Sequence, residues 1–293
     1  MKKLDENNRA CLSLYFLSND TVVVHTPHDG WGVIDCYETR TESQKNGTLT
    51  FLLGKGVDKL DFVCLTHLHY DHYRGMSRLL RHFKGKIDEF WDSGDIDLVR
   101  TMRMAFSEST WKKETSELER IYRYVYEWVK KGEMLYKRMG ENITLYTENG
   151  LKIKSLSPVG NVMLRAKRGR FLNFNAFSAV LMVDYAGVSV LLGGDAESNT
   201  WKALLKRKIP LVSNIVKVSH HGSRAGMPPE ALRQMFIPEK SFAIVVPLPK
   251  HNLPSSRVLF DIESKKVGVI ETIDTGIKFD ISKNGKYEWA YIR

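Results

Sequence analysis

The sequence predicts an α/β protein built from layered sheets and helices, and three observations carry that expectation. Short apolar runs rich in Val, Ile and Leu recur through both halves of the chain, as buried strands do. Segments with helical spacing fit between several of them. The 293 residues are 43% hydrophobic, enough for a large core, and no repeat, low-complexity tract or flexible linker divides them. One domain over residues 1–293 is therefore expected.

The opening reads as strands at 11–16, 21–25 and 33–36, the last following the turn residues His28, Asp29 and Gly30. This meander ends at a carboxylate, Asp35. A further buried strand at 62–65 leads into a polar cluster, and residues 73–83 have the spacing of a helix that starts just behind it. Residues 96–138 are mostly helical in pattern and form an insertion between the two strand-rich halves. In it Leu118, Ile121, Tyr122, Val125 and Val129 share one apolar face, with Lys130 and Lys131 late and Gly132 as the stop. Its aromatics Tyr124, Tyr126 and Trp128 could stack on nucleic-acid bases, but a stripe at this spacing reads first as core. Strands return from 143 onward, at 151–156, 179–185, 188–192, 215–218, 242–246, 267–270 and 277–281. Helices fit at 198–208 and 228–236.

The most specific stretch is Thr66-His67-Leu68-His69-Tyr70-Asp71-His72, which directly follows the strand at 62–65. Three imidazoles and a carboxylate on one turn are the nitrogen and oxygen donors that zinc-class ions take, and one loop can serve two adjacent ions. Three more clusters follow strand runs in the same way: Gly193-Gly194-Asp195, His220-His221-Gly222-Ser223, and His251. Residues just beyond strand ends gather at one rim of a layered fold, so four distant segments can meet in one site. Asp195 also suits a helix N-cap, and His251 suits a surface loop equally well.

The net charge of +10 favours an anionic partner. Arg74, Arg78, Arg81, Lys84 and Lys86 follow the His-rich turn, and Arg165, Lys167, Arg168 and Arg170 crowd a second segment; either group also suits a solvated face. Three cysteines, Cys11, Cys36 and Cys64, lie in apolar runs without a C-x-x-C pair, as buried thiols do. No stretch is long and apolar enough for a membrane span and no signal peptide is evident, so no membrane partner and a cytoplasmic location are expected.

The motif H-x-H-x-D-H, standing here as His67, His69, Asp71 and His72, resembles the signature of the metallo-β-lactamase superfamily. Asp35 matches the family's early strand-end Asp, Asp195 its metal-bridging Asp, and the His220-His221 turn its final His ligand. Residues 191–197 (LLGGDAE) and 217–223 (KVSHHGS) look like the hydrolase domain of the competence-type DNA-internalisation (ComEC-like) group. The resemblance implies a four-layer αββα sandwich with two divalent metal ions, Zn2+ or Mn2+, at one edge between the sheets. It implies that His67 and His69 hold the first ion, that Asp71, His72 and His220 or His221 hold the second, and that Asp195 bridges. His220 is the preferred member of the pair. The His that the superfamily usually carries shortly before the bridging Asp is absent from residues 173–178, which shifts the expected ion towards manganese.

The expected reaction is phosphodiester hydrolysis of DNA or RNA by hydroxide generated at the two ions, with Asp71 orienting it and His251 as a further catalytic residue. Asn175, Ser223, Arg168 and Arg170 are the candidate substrate contacts. Two alternatives stay open: a hydrolase of small esters, lactones or phosphodiesters on the same site, and a non-catalytic, metal-containing nucleic-acid-binding subunit.

Overall fold

The computed structural model describes residues 10–17, 20–38, 47–93, 111–161, 173–272 and 275–292. The apolar runs pair into two sheets. The first contains β1 (Ala10–Phe16), β2 (Val22–His25), β3 (Trp31–Ile34), β4 (Leu60–Leu65), β5 (Ile87–Asp92), β6 (Leu135–Arg138), β14 (Ile277–Ser282) and β15 (Tyr287–Tyr291), in the order β15-β14-β1-β2-β3-β4-β5-β6. The second contains β7 (Ile143–Glu148), β8 (Leu151–Ser155), β9 (Leu181–Tyr185), β10 (Val188–Leu192), β11 (Ile215–Lys217), β12 (Phe242–Val245) and β13 (Gly268–Glu271), in the order β13-β12-β11-β10-β9-β8-β7.

The period-2 alternation of each strand divides its side chains between two cores. Phe62 and Cys64 of β4, and Val188, Val190 and Leu192 of β10, fill the space between the sheets. Val63 and Leu65 instead face α1 (Thr48–Gly54), α3 (Met76–His82) and α4 (Trp111–Lys130). On the far side, Leu191, Val216, Ala243 and Val245 pack under α5 (Ser198–Lys206), α6 (Pro229–Met235) and α7 (Ser256–Glu263). Helices, sheet, sheet, helices: the result is the four-layer αββα sandwich.

Close packing between the sheets uses a bare position at Gly32. Gly32 pairs with Phe62 across the β3–β4 ladder, and a Cβ on Gly32 would lie 2.1 Å from the ring, which stacks on Trp91 at 4.0 Å between centroids. Gly32→Ala is expected to cost about 1–3 kcal/mol or more by overpacking, read as a lowered midpoint in denaturant unfolding.

The expected helix over 73–83 is two helices. α2 (Tyr70–Tyr73) starts inside the His-rich turn, and Gly75, at φ 102°, separates it from α3. Within the helical insertion, residues 94–110 lie outside the described residues. α4 presents Leu118, Ile121, Tyr122 and Val125 to the core together with Trp128, while Tyr126 is exposed. Residues 135–138 correct the helical reading: they form the edge strand β6, parallel to β5. Cys36 and Cys64 are buried free thiols, as expected; the side chain of Cys11 lies outside what is described.

Candidate metal centre

Topology brings the polar clusters to one rim. β3 and β4 run parallel, so Asp35 and the His67–His72 turn leave the first sheet at the same end. β10 and β11 also run parallel, placing Asp195 and the His220-His221 turn at one end of the second sheet. There the two sets face each other.

Asp195 is buried at the centre and offers one carboxylate oxygen to each side. Its Oδ2 lies 3.7 Å from His67 Nε2 and 3.9 Å from His220 Nε2. Its Oδ1 lies 3.4 Å from His72 Nε2. His69 completes the first group, with Nδ1 3.0 Å from His67 Nε2. The structure thus divides the adjacent His220 and His221. His221 Nε2 and His72 Nε2 both lie near Asp20 Oδ2, whereas His220 Nε2 lies near the Asp195 oxygen that faces His67.

The division has a backbone cause. His220 (φ 49°, ψ 49°) and His221 (φ 54°, ψ 21°) are consecutive left-handed residues. That conformation costs L-residues roughly 1–2 kcal/mol each, and such strain collects at functional sites.

Hydrogen bonds fix the imidazoles. Asp35 accepts from the Thr66 N–H at 2.7 Å, from the Thr66 hydroxyl at 2.7 Å and from His72 Nδ1 at 2.8 Å. The carbonyl of Val246, which can only accept, takes the Nδ1 proton of His221 at 3.0 Å. In both rings Nε2 is left pointing into the site, the arrangement of metal-ligating histidines that donate their other nitrogen to a carboxylate or carbonyl.

Electrostatics agree. Burial pushes the His67 pKa well down, and His72 and His69 add to it, so His67 is neutral with a lone pair to give. Burial also opposes charge on His72 most strongly, yet Asp195 and Asp35 together raise its pKa well above the usual range. For Asp195, burial is outweighed by His72, His67 and His220, and its carboxyl stays well below the ordinary value. The site is a buried negative field that seeks a cation. His72 Nε2, His221 Nε2 and Asp195 Oδ1 are buried without hydrogen-bond partners, and His67, His69 and Asp195 offer ligand atoms within 4.8 Å of one another. Imidazole nitrogens and carboxylate oxygens are the donors that zinc and manganese accept, so the residues present fit divalent ions.

The remaining candidates fall around this centre. Asp71, half-buried on α2, acts electrostatically on His69 and His220. Asn175 is buried and donates to Glu197 Oε1 at 2.9 Å. Glu197, which the sequence reading did not single out, lies 3.4 Å from His220 Nδ1. Its pKa is lowered to about 2, chiefly by His220 and against burial, with Asn175 and Asn173 also donating. The Ser223 hydroxyl accepts from the Gly226 N–H at 2.9 Å. His251 is exposed on the turn Pro249–His251, and among the described residues no hydrogen bond or ion pair joins it to the centre. Arg168 and Arg170 lie outside the described residues.

Two further residues were missed. Asp20, just ahead of β2, is buried beside the second group, and Lys217, buried at the end of β11, forms an ion pair with it. Signals for both exist: an acid next to a strand start in the meander, and a lysine inside an apolar strand in register with Ile215.

Residues 15–150 match the family model of the Metallo-beta-lactamase superfamily. ComE operon protein 3 of Bacillus subtilis (strain 168) is 24% identical over 236 residues, which are 78% of this chain and 25% of that protein. The chain thus spans a quarter of this relative's length. Among solved structures, the metallo-beta-lactamase fold protein YhfI from Bacillus subtilis superposes with a TM-score of 0.51 at 9% identity, over 95% of this chain and 99% of that one. A CmlA beta-hydroxylase mutant gives 0.53 at 11% identity, over 96% of this chain and 54% of that one. At these identities the structural likeness establishes the fold. The chain therefore carries a metallo-β-lactamase superfamily domain, recognised over residues 15–150, and has the metallo-β-lactamase fold.

Proposed function

We propose that this chain is a metal-dependent phosphodiesterase that cuts nucleic acid, with divalent ions held on either side of Asp195. The observation that carries this reading is the division of buried donor atoms into two groups that share one carboxylate. His67, His69 and His220 would hold one ion and His72 and His221 the other, with Asp195 bridging. Two such ions, when bound, supply Lewis acidity and water of lowered pKa for in-line attack on a phosphodiester.

The chain's own groups do the rest. Asp35 locks the His72 ring, Glu197 aligns His220 and anchors Asn175, and Asp71, which acts electrostatically on His69, would orient water there. Ser223 keeps its hydroxyl proton for a phosphate oxygen. The charge of +10 favours a polyanion, and Arg168 and Arg170 are proposed for its capture. The resemblance of residues 191–197 and 217–223 to the competence-type DNA-internalisation group favours DNA.

The test uses metal-stripped protein repleted with Mn2+ or Zn2+ and end-labelled single- and double-stranded DNA and RNA, beside His69→Ala. Cutting is expected only with metal, and is expected to fall to background in the variant. Its rate at limiting substrate should drop steeply with salt, with a log–log slope of roughly −0.7 to −0.9 per phosphate contacted. Turnover confined to neutral small esters, or DNA binding without turnover, refutes the proposal.

A further inference from the structure

We infer that Asp20 is itself a metal ligand, completing the donor set on the His72 side of the centre. This rests on the two-ion reading above and adds a residue that the superfamily signature does not contain. Asp20 precedes β2, and because β2 pairs antiparallel with β3, with Val22 opposite Ile34, its start lies at the same rim as Asp35. Asp20 Oδ2 lies 3.2 Å from His221 Nε2 and 4.0 Å from His72 Nε2. Val246 accepts from His221 Nδ1, so Nε2 is the ring nitrogen turned to the Asp20 carboxylate, and no hydrogen bond joins the two. An imidazole nitrogen and a carboxylate oxygen this close with no hydrogen bond between them stand as two ligand atoms of one cation do. Donors on one tetrahedral ion, at about 2.1 Å each, stand about 3.4 Å apart. The spacings of Asp20 and Asp195 Oδ1 to the two imidazoles, 3.2, 3.4 and 4.0 Å, bracket that value.

Lys217 explains how the carboxylate is aimed. It comes from the opposite sheet and engages Asp20 Oδ1, leaving Oδ2 for the site. The bland alternative is that Asp20 serves only to neutralise this buried ammonium. The two roles separate in a double variant, Asp20→Asn with Lys217→Met, which removes both charges so that neither is left buried and unpaired.

The experiment counts Mn2+ bound after equilibrium dialysis and measures each binding step by calorimetry. Wild type and Lys217→Met are expected to bind two ions. The double variant is expected to bind one, with the second step weakened at least tenfold. Two ions at wild-type affinity in the double variant overturn the inference while leaving the two-ion reading intact; no binding by wild type overturns both. Should the double variant fail to fold, the anomalous-difference map of Mn2+-loaded wild-type crystals decides. An Asp20 oxygen within about 2.5 Å of an ion supports the assignment, and none within that distance overturns it.

Discussion

Asp195→Asn is expected to lower kcat/KM for phosphodiester cleavage by roughly 10³-fold or more and to weaken binding of both ions. An amide keeps the volume but offers one acceptor oxygen and an NH2 group of two donors. Whichever way it turns, one group of imidazoles, His67 and His220 or His72, faces N–H bonds instead of an anionic oxygen. A metal centre contributes several kcal/mol of charge stabilisation in the transition state, and each 1.36 kcal/mol is tenfold in rate. The substitution leaves the Asp195 backbone N–H donating to the Ser178 hydroxyl at 2.8 Å, so the loop retains its anchor. Steady-state kinetics beside a calorimetric metal titration read the outcome. Activity within tenfold of wild type would remove Asp195 from the bridging role.

Asp35→Ala is expected to be the most destabilising change at the centre, by about 3–9 kcal/mol. Asp35 is 2% exposed and accepts three hydrogen bonds, from the Thr66 N–H, the Thr66 hydroxyl and His72 Nδ1. Its removal leaves these donors buried without acceptors, at roughly 1–3 kcal/mol each. The position also has φ 58°, which Asp tolerates better than Ala. Protein that still folds should bind metal about 10–100-fold more weakly, because the His72 ring loses the group that orients it. Denaturant unfolding of the apo form and metal titration test the two effects separately. Unchanged stability would mean that the three donors find other partners.

Strands with one or both faces buried were readable from their residues. β12, and β10 apart from Ser189, appear in the sequence as apolar runs because they are covered on both faces, by the inter-sheet core and by helices. β6 and β15 lie at the two edges of the first sheet with mostly exposed side chains, so nothing forces apolar periodicity on Leu135–Arg138 or Tyr287–Tyr291. β5 was obscured by its acids Asp88, Glu89 and Asp92: Glu89 is held by Lys137 and Trp91, and Asp92 accepts from the Tyr122 and Tyr136 hydroxyls. The His-rich turn was legible because its residue types are rare at that spacing. The different directions of His220 and His221 were not, since they depend on two left-handed backbone conformations in succession. Asp20 was lost for a related reason: a lone acid near a turn is common, and only pairing across β2–β3 and between the sheets shows what it meets.

The centre draws His67, His69, His72, Asp35 and Asp20 from the first sheet and Asp195, His220 and His221 from the second. Ions held between them as proposed act as a removable crosslink between two halves that also meet through apolar packing and the Asp20–Lys217 ion pair. The unfolded chain has no such arrangement, so by mass action the stability of the whole sandwich becomes a function of free metal concentration. A hundredfold excess over Kd at one position adds about 2.7 kcal/mol. A chelator then does more than silence the chemistry: it loosens the seam that sets the two sheets in register.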